Sequence, residues 1–191
     1  MATNQNTTNI LGVDVAAIYV STGQSINPEL SPQQFALGQM IQAQNGGEFV
    51  FVQASTSISG NDFVAITLGF QANSITTTNA QETATPGFTI GVAPATTVGV
   101  LAGQWFWAQT RGKAVTANLG AASTTGVILY TTAVAGVLSS VTGSSSSTAV
   151  AGVVCVASNS SLAASAGTVV MSWPRVVQQS SSGGLFNQPN P

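Results

Sequence analysis

The chain has 191 residues, a net charge of −2, and only eight charged side chains. An ordinary soluble protein is roughly 25% charged; this one is 4% charged, with no histidine and one cysteine. That inventory argues against acid–base and metal-dependent catalysis, which need titratable groups gathered in a cleft, and against nucleic-acid binding, which needs Lys and Arg on phosphates. The expectation is therefore no enzyme, no cofactor, no metal and no nucleic-acid partner. Hydrophobic residues at 44% suffice for a core, and a surface with so little charge has weak colloidal repulsion, which favours an assembled protein.

Residues 1 to about 10 are rich in Asn and Thr and are expected to form a tail or arm. They lack the basic start and apolar run of a signal peptide, which predicts synthesis in a host cytoplasm. No stretch approaches the ~18 uninterrupted apolar residues of a membrane span, so no membrane partner is expected. The segment from Ile10 to Val20 is apolar enough to pack, and Gly23, Pro28 and Pro32 break up the stretch from Ser21 to Pro32. Ser31-Pro32-Gln33-Gln34 offers a capped helical turn leading into a strand.

From Phe35 short strands alternate with turn residues. Met40–Ala43 and Phe49–Val52 flank Asn45-Gly46, a hairpin signal because both residues tolerate positive φ. Ser59-Gly60-Asn61-Asp62 turns the chain into Phe63–Ile66. Further strands are expected at Phe88–Ala93, Gln104–Ala108, Ala114–Thr116, Val127–Tyr130, Val150–Val156 and Thr168–Trp173. A spacing near 8–12 residues is the pattern of an all-β sandwich or barrel. Ser144–Ser147 is expected to be a surface loop, and Gln178 onward a flexible linker carrying the apolar pair Leu185-Phe186. The predicted organisation is an N-terminal arm (1–34), a compact β-barrel or β-sandwich (35–177) and a C-terminal tail (178–191).

Few residues invite chemistry. Glu48 and Asp62 are candidates to approach across adjacent strands and act as a glycosidase pair. Both sit at turns, however, where such side chains commonly bond to the backbone. Cys155, in Gly152–Ala157, is expected to behave as a small buried hydrophobe. On a strand Trp105 and Trp107 share one face and Phe106 takes the other. The two tryptophans suit a core layer, a subunit interface or a sugar-stacking platform. Arg111-Gly112-Lys113 is either a plain turn or a cationic pair meeting Asp or Glu on another copy or partner.

The order of phrases from about Phe35 to Val176 resembles the capsid decoration (cement, or head-stabilising) proteins of tailed bacteriophages. LGQMIQAQNGGEFVFVQAS resembles their opening hairpin, SGNDFVAI a strand entered from a Gly-Asp turn, and GFTIGVA a strand with a Gly-Val-Ala ending. GQWFWAQTRGKAVTANL resembles a central strand pair, followed by GVILYTTAVAGVLSS and AVAGVVCVAS, and TVVMSWPRV the closing strand. Residues 1–34 and the tail after Val177 are not matched. The resemblance implies a viral structural protein on the capsid exterior of the virion, often a trimer, that binds the major capsid protein and bridges its subunits. Interface residues expected on that reading are Ile10, Val13, Ile18 and Tyr19 in the arm, Trp105, Trp107, Arg111 and Lys113 in the body, and Leu185 and Phe186 in the tail. The competing expectations are another virion module (tail, fibre or shell) and a carbohydrate-binding β module using Trp105 and Trp107.

Overall fold

The computed structural model describes residues 13–20, 35–43, 46–83, 89–121, 123–142, 147–157 and 164–177. Among the described residues, eleven strands and one short helix follow in chain order: β1 (Ile18–Tyr19), β2 (Met40–Gln42), β3 (Glu48–Ala54), β4 (Phe63–Ile66), β5 (Gln71–Ser74), α1 (Thr77–Thr83), β6 (Thr89–Val92), β7 (Trp105–Leu119), β8 (Ile128–Thr131), β9 (Leu138–Ser139), β10 (Ala149–Cys155) and β11 (Ser165–Val176). The fold is all-β. Hydrogen-bonded ladders close into two circuits that share β7. The first runs β7-β6-β4-β5-β3 and back to β7, and the second runs β7-β11-β10-β8-β9 and back to β7. Closure removes exposed edges from both circuits. β1 and β2 lie outside them, on β7 and β3.

β7 serves both circuits because it is bulged. Its first half pairs with β3 and its second with β11. One extra residue enters β7 between the pairs Glu48↔Arg111 and Phe49↔Gln109, and another between Met171↔Gly112 and Val169↔Val115. Each bulge bends its strand and sharpens the twist. Gly112 sits between them: a Cβ there would lie 2.5 Å from the Gln109 side-chain amide, which donates to the Arg111 carbonyl at 3.0 Å. Arg111-Gly112-Lys113 is therefore a bend within one 15-residue strand, not a turn between two.

Alternation along the strands builds three apolar layers. Val50 and Val52 of β3 join Phe106 and Ala108 of β7 inside the first circuit. Val115, Ala117 and Leu119 of β7 join Val153, Cys155, Val169 and Met171 inside the second. β4 stands between these cores: Val64 and Ile66 face one, Phe63 and Ala65 the other. A strand buried on both faces has no polar side, so Phe-Val-Ala-Ile is one continuous apolar run. The third layer lies on the outer face of β3 and β7, where Phe49, Phe51 and Trp107 are covered by Val15 and Tyr19.

The Asn45-Gly46 signal produces its hairpin: β2 and β3 pair antiparallel from Met40↔Val50 to Gln42↔Glu48, and Gly46 has φ 77°. The helical turn expected at 31–34 and most of the serine loop lie outside the described residues. α1 has no counterpart among the expected elements. Thr76 caps it, its hydroxyl accepting from the Asn79 N–H while the Asn79 side chain accepts from the Thr76 N–H, a capping box with Asn where Glu or Gln is usual.

Candidate functional site

Ile10, Leu185 and Phe186 lie outside the described residues. The other expected interface residues fall into two groups. Val13, Ile18 and Tyr19 belong to a segment packed on the chain's own sheet, where Ile18 pairs with Phe106 and Tyr19 with Trp105. Tyr19 and Trp107 are each 1% exposed. Their rings pack with Phe35 and Phe51 at centroid distances of 5.0–5.6 Å, three of the contacts edge-on. Trp105 is half-buried beside them. The tryptophan pair on one face is thus a core layer, and Trp107 is not presented to a sugar or a partner.

Arg111 corrects a further expectation. Its guanidinium donates to the Glu48 carboxylate of the same chain at 2.7 Å, across the β3–β7 ladder, rather than seeking an acid on another copy. Lys113, two residues on, is exposed. Glu48 is held by Arg111, and Asp62 is buried among donors. The Asp62 carboxylate accepts the Ser59 N–H at 3.0 Å, the Ser74 hydroxyl at 2.7 Å and the Asn118 side-chain amide at 2.9 Å. Among the described residues no cluster of His, Cys, Asp and Glu could hold a metal ion, and no helix is long and apolar enough to cross a membrane.

Burial pushes the Tyr19 phenol and the Cys155 thiol above their ordinary values. Cys155 also donates to the Ala157 carbonyl at 2.9 Å. For both groups the unfolded chain loses its proton at lower pH than the folded chain. Their contribution is intact below the unfolded values of ~8.5 and ~10 and is lost as pH rises from there through the raised folded values. Urea midpoints are therefore expected to fall above about pH 8.5, and Cys155→Ala to delay that fall toward the tyrosine range.

Two apolar surfaces stand where sequence reasoning placed none. The first is a row across the outer face of the second circuit. Val154 of β10 lies directly opposite Ile128 of β8 on one side and Val170 of β11 on the other. These side chains are 44%, 56% and 36% exposed, and exposed Val156 continues the row along the chain. The outer face of an antiparallel sheet normally carries polar residues. The signal was present: in Val-Val-Cys-Val (153–156) the outward positions are as apolar as the inward ones.

The second surface is a groove of about 210 Å³ at one mouth of the first circuit, with Val50 and Ile66 in its lining and Met40, Leu68, Phe70 and Trp173 around it. Leu68 is 68% exposed, and Met40 and Trp173 are also exposed. Among the described residues only Asn61, Phe70 and Trp173 combine positive φ with a side chain other than glycine; both aromatic ones border this groove. Such a conformation costs about 1–3 kcal/mol and persists where its surroundings hold it. Phe70 lies against Gly38, where a Cβ would come within 2.3 Å of the ring. Trp173 sits in a β11 bulge between Ala151↔Arg175 and Val153↔Met171, opposite Gly152, whose Cβ would lie 2.6 Å from the Ser172 carbonyl.

Comparison of the chain with protein families, characterised proteins and solved structures finds no match.

Proposed function

We propose that this chain is a non-enzymatic structural protein of a virus particle: a decoration protein that sits on the outside of a tailed-phage head, assembles as a homotrimer, and bridges subunits of the major capsid protein. The observation that carries the reading is the exposed row Ile128–Val154–Val170 on the closed second circuit. Full burial of each such side chain is worth roughly 1.5–3 kcal/mol, so a partner covering the row gains several without using any charge. Bridging multiplies that gain, because each further contact of a bound trimer is effectively intramolecular. A protein that binds assembled shells more tightly than free subunits stabilises the shell by linkage.

The resemblance to decoration proteins spans about three quarters of the chain, and the paucity of charge accords with a protein held by apolar contacts. A role elsewhere in the virion would use the same physics. The carbohydrate-binding alternative loses its Trp105–Trp107 platform, since Trp107 is buried.

The test is co-sedimentation with expanded heads. Wild-type chain is expected to stay bound in about 1 M salt, where the Debye length shrinks to ~3 Å and exposed ion pairs are screened. Ile128→Lys/Val154→Lys is expected to fold, since both positions are exposed, and to lose binding at least about tenfold, for two desolvated ammonium groups. Release of wild type by modest salt, or undiminished binding of the variant, would contradict the proposal.

A further inference from the structure

We propose that the groove at the mouth of the first circuit is the seat of the chain's own C-terminal segment, with Leu185 and Phe186 as its anchors. The groove is mainly apolar and bordered by Met40, Leu68, Phe70 and Trp173; three threonines, Thr67, Thr89 and Thr110, complete its lining, and none of its residues is charged. Two of those four hold strained backbone conformations, so aromatic surface is kept at the mouth at a cost to stability. A segment offered to such a groove should be uncharged and carry a compact apolar anchor. Residues 178–191, QQSSSGGLFNQPNP, contain no charged side chain, and Leu185-Phe186 is their one pair of large apolar residues.

The lengths agree. β11 carries Trp173 at the groove and ends at Val176. From Trp173 to Val177 is four strand residues, ~13 Å at the strand rise. From Val177 to Leu185 is eight residues, five of them Ser or Gly, and a free Gly/Ser-rich linker of that length has a root-mean-square span of ~16 Å. A linker whose natural span matches the distance to its site gives the highest effective concentration, in the millimolar range. Docking within one chain therefore needs only a weak intrinsic affinity. The segment would cover Trp173 and Leu68 without a second molecule. This inference stands apart from the capsid reading, because it concerns the purified chain alone.

The experiment is disulfide capture in the full chain carrying Leu68→Cys and Asn187→Cys, which leaves both anchors in place. Leu68 is exposed, so its replacement spares the core, and the native Cys155 is buried. Under dilute, mildly oxidising conditions the expected product is a disulfide within one chain. It should form about tenfold faster than in the same background with Leu185→Ser/Phe186→Ser, because docking raises the local concentration of the new thiol. Equal rates would overturn the proposal. A disulfide joining two chains would also overturn it and give the groove to a neighbouring copy's tail. As a second measurement, a free peptide of residues 178–191 added to Leu185→Ser/Phe186→Ser should shift Trp173 emission saturably, with Kd below about 1 mM. No shift, or the same shift in a Trp173→Ala control, would contradict docking at this groove.

Discussion

Asp62→Ala is expected to lower unfolding free energy by about 3 kcal/mol, read from the urea midpoint at unchanged slope. Asp62 is 4% exposed, and its carboxylate gathers three donors from three parts of the fold: the Ser59 N–H in the preceding turn, the Ser74 hydroxyl on β5 and the Asn118 amide on β7. Asn118 also donates to the Gly60 carbonyl at 3.1 Å. Asp62 thereby ties the Ser59–Asp62 turn to the half of β7 that belongs to the second circuit. Each buried donor left without a partner costs about 1–3 kcal/mol, and water entering the gap offsets part of the sum. The backbone is built around this carboxylate as well. Gly136, at φ 73°, passes so close that a Cβ would lie 2.1 Å from Asp62 Cγ. Its carbonyl accepts from the Phe63 N–H, and its own N–H donates to the Ile75 carbonyl. Asp62→Asn keeps one acceptor and turns a donor toward the other donors, so it should recover only part of the loss. A midpoint shift below about 1 kcal/mol for Asp62→Ala would show that the network contributes no more than a surface contact.

Trp107→Ala is expected to cost about 3–5 kcal/mol, the range for deleting a large buried aromatic. Its ring meets Phe35 at 5.2 Å and Phe51 at 5.0 Å, and Tyr19 packs on the same two phenylalanines. The cavity would open under the Val13–Val20 segment, which is held on the sheet by this cluster, by the short β1–β7 pairing and by Ile18 against the core of the first circuit. The near-ultraviolet circular dichroism of the cluster should collapse with the midpoint. Trp107→Phe retains an aromatic ring and should cost markedly less. If the alanine variant lost under about 1 kcal/mol, Trp107 would not belong to a tightly packed core layer.

Much of this fold is legible in the sequence. Phe63–Ile66 coincides with β4 residue for residue, and β8, β10 and β11 stand within a few positions of where their apolar runs place them, whereas β9 has no counterpart among the expected strands. β5 is invisible there because Gln-Ala-Asn-Ser has weak strand propensity; it is a strand because β3 and β4 flank it, and tertiary context overrides propensity. The break expected after Ala108 is missing for a different reason. A Gly between two cations looks like a turn, but here it relieves crowding in a strand bulged on both sides. The candidate surfaces are hidden by the same alternation rule that exposes the strands. Runs such as Val153–Val156 look like core throughout, although every second residue must face outward. Trp173 leaves little trace because a bulge sets its direction, and bulges leave only indirect marks such as the neighbouring Pro174.

The measurement that bears most directly on the central claim is the copy number of this chain in purified particles of the virus that encodes it, by quantitative mass spectrometry against the most abundant shell protein. A decoration protein is predicted to be present in numbers comparable to the shell subunit. A handful of copies per particle, or none, would contradict a role in covering the head.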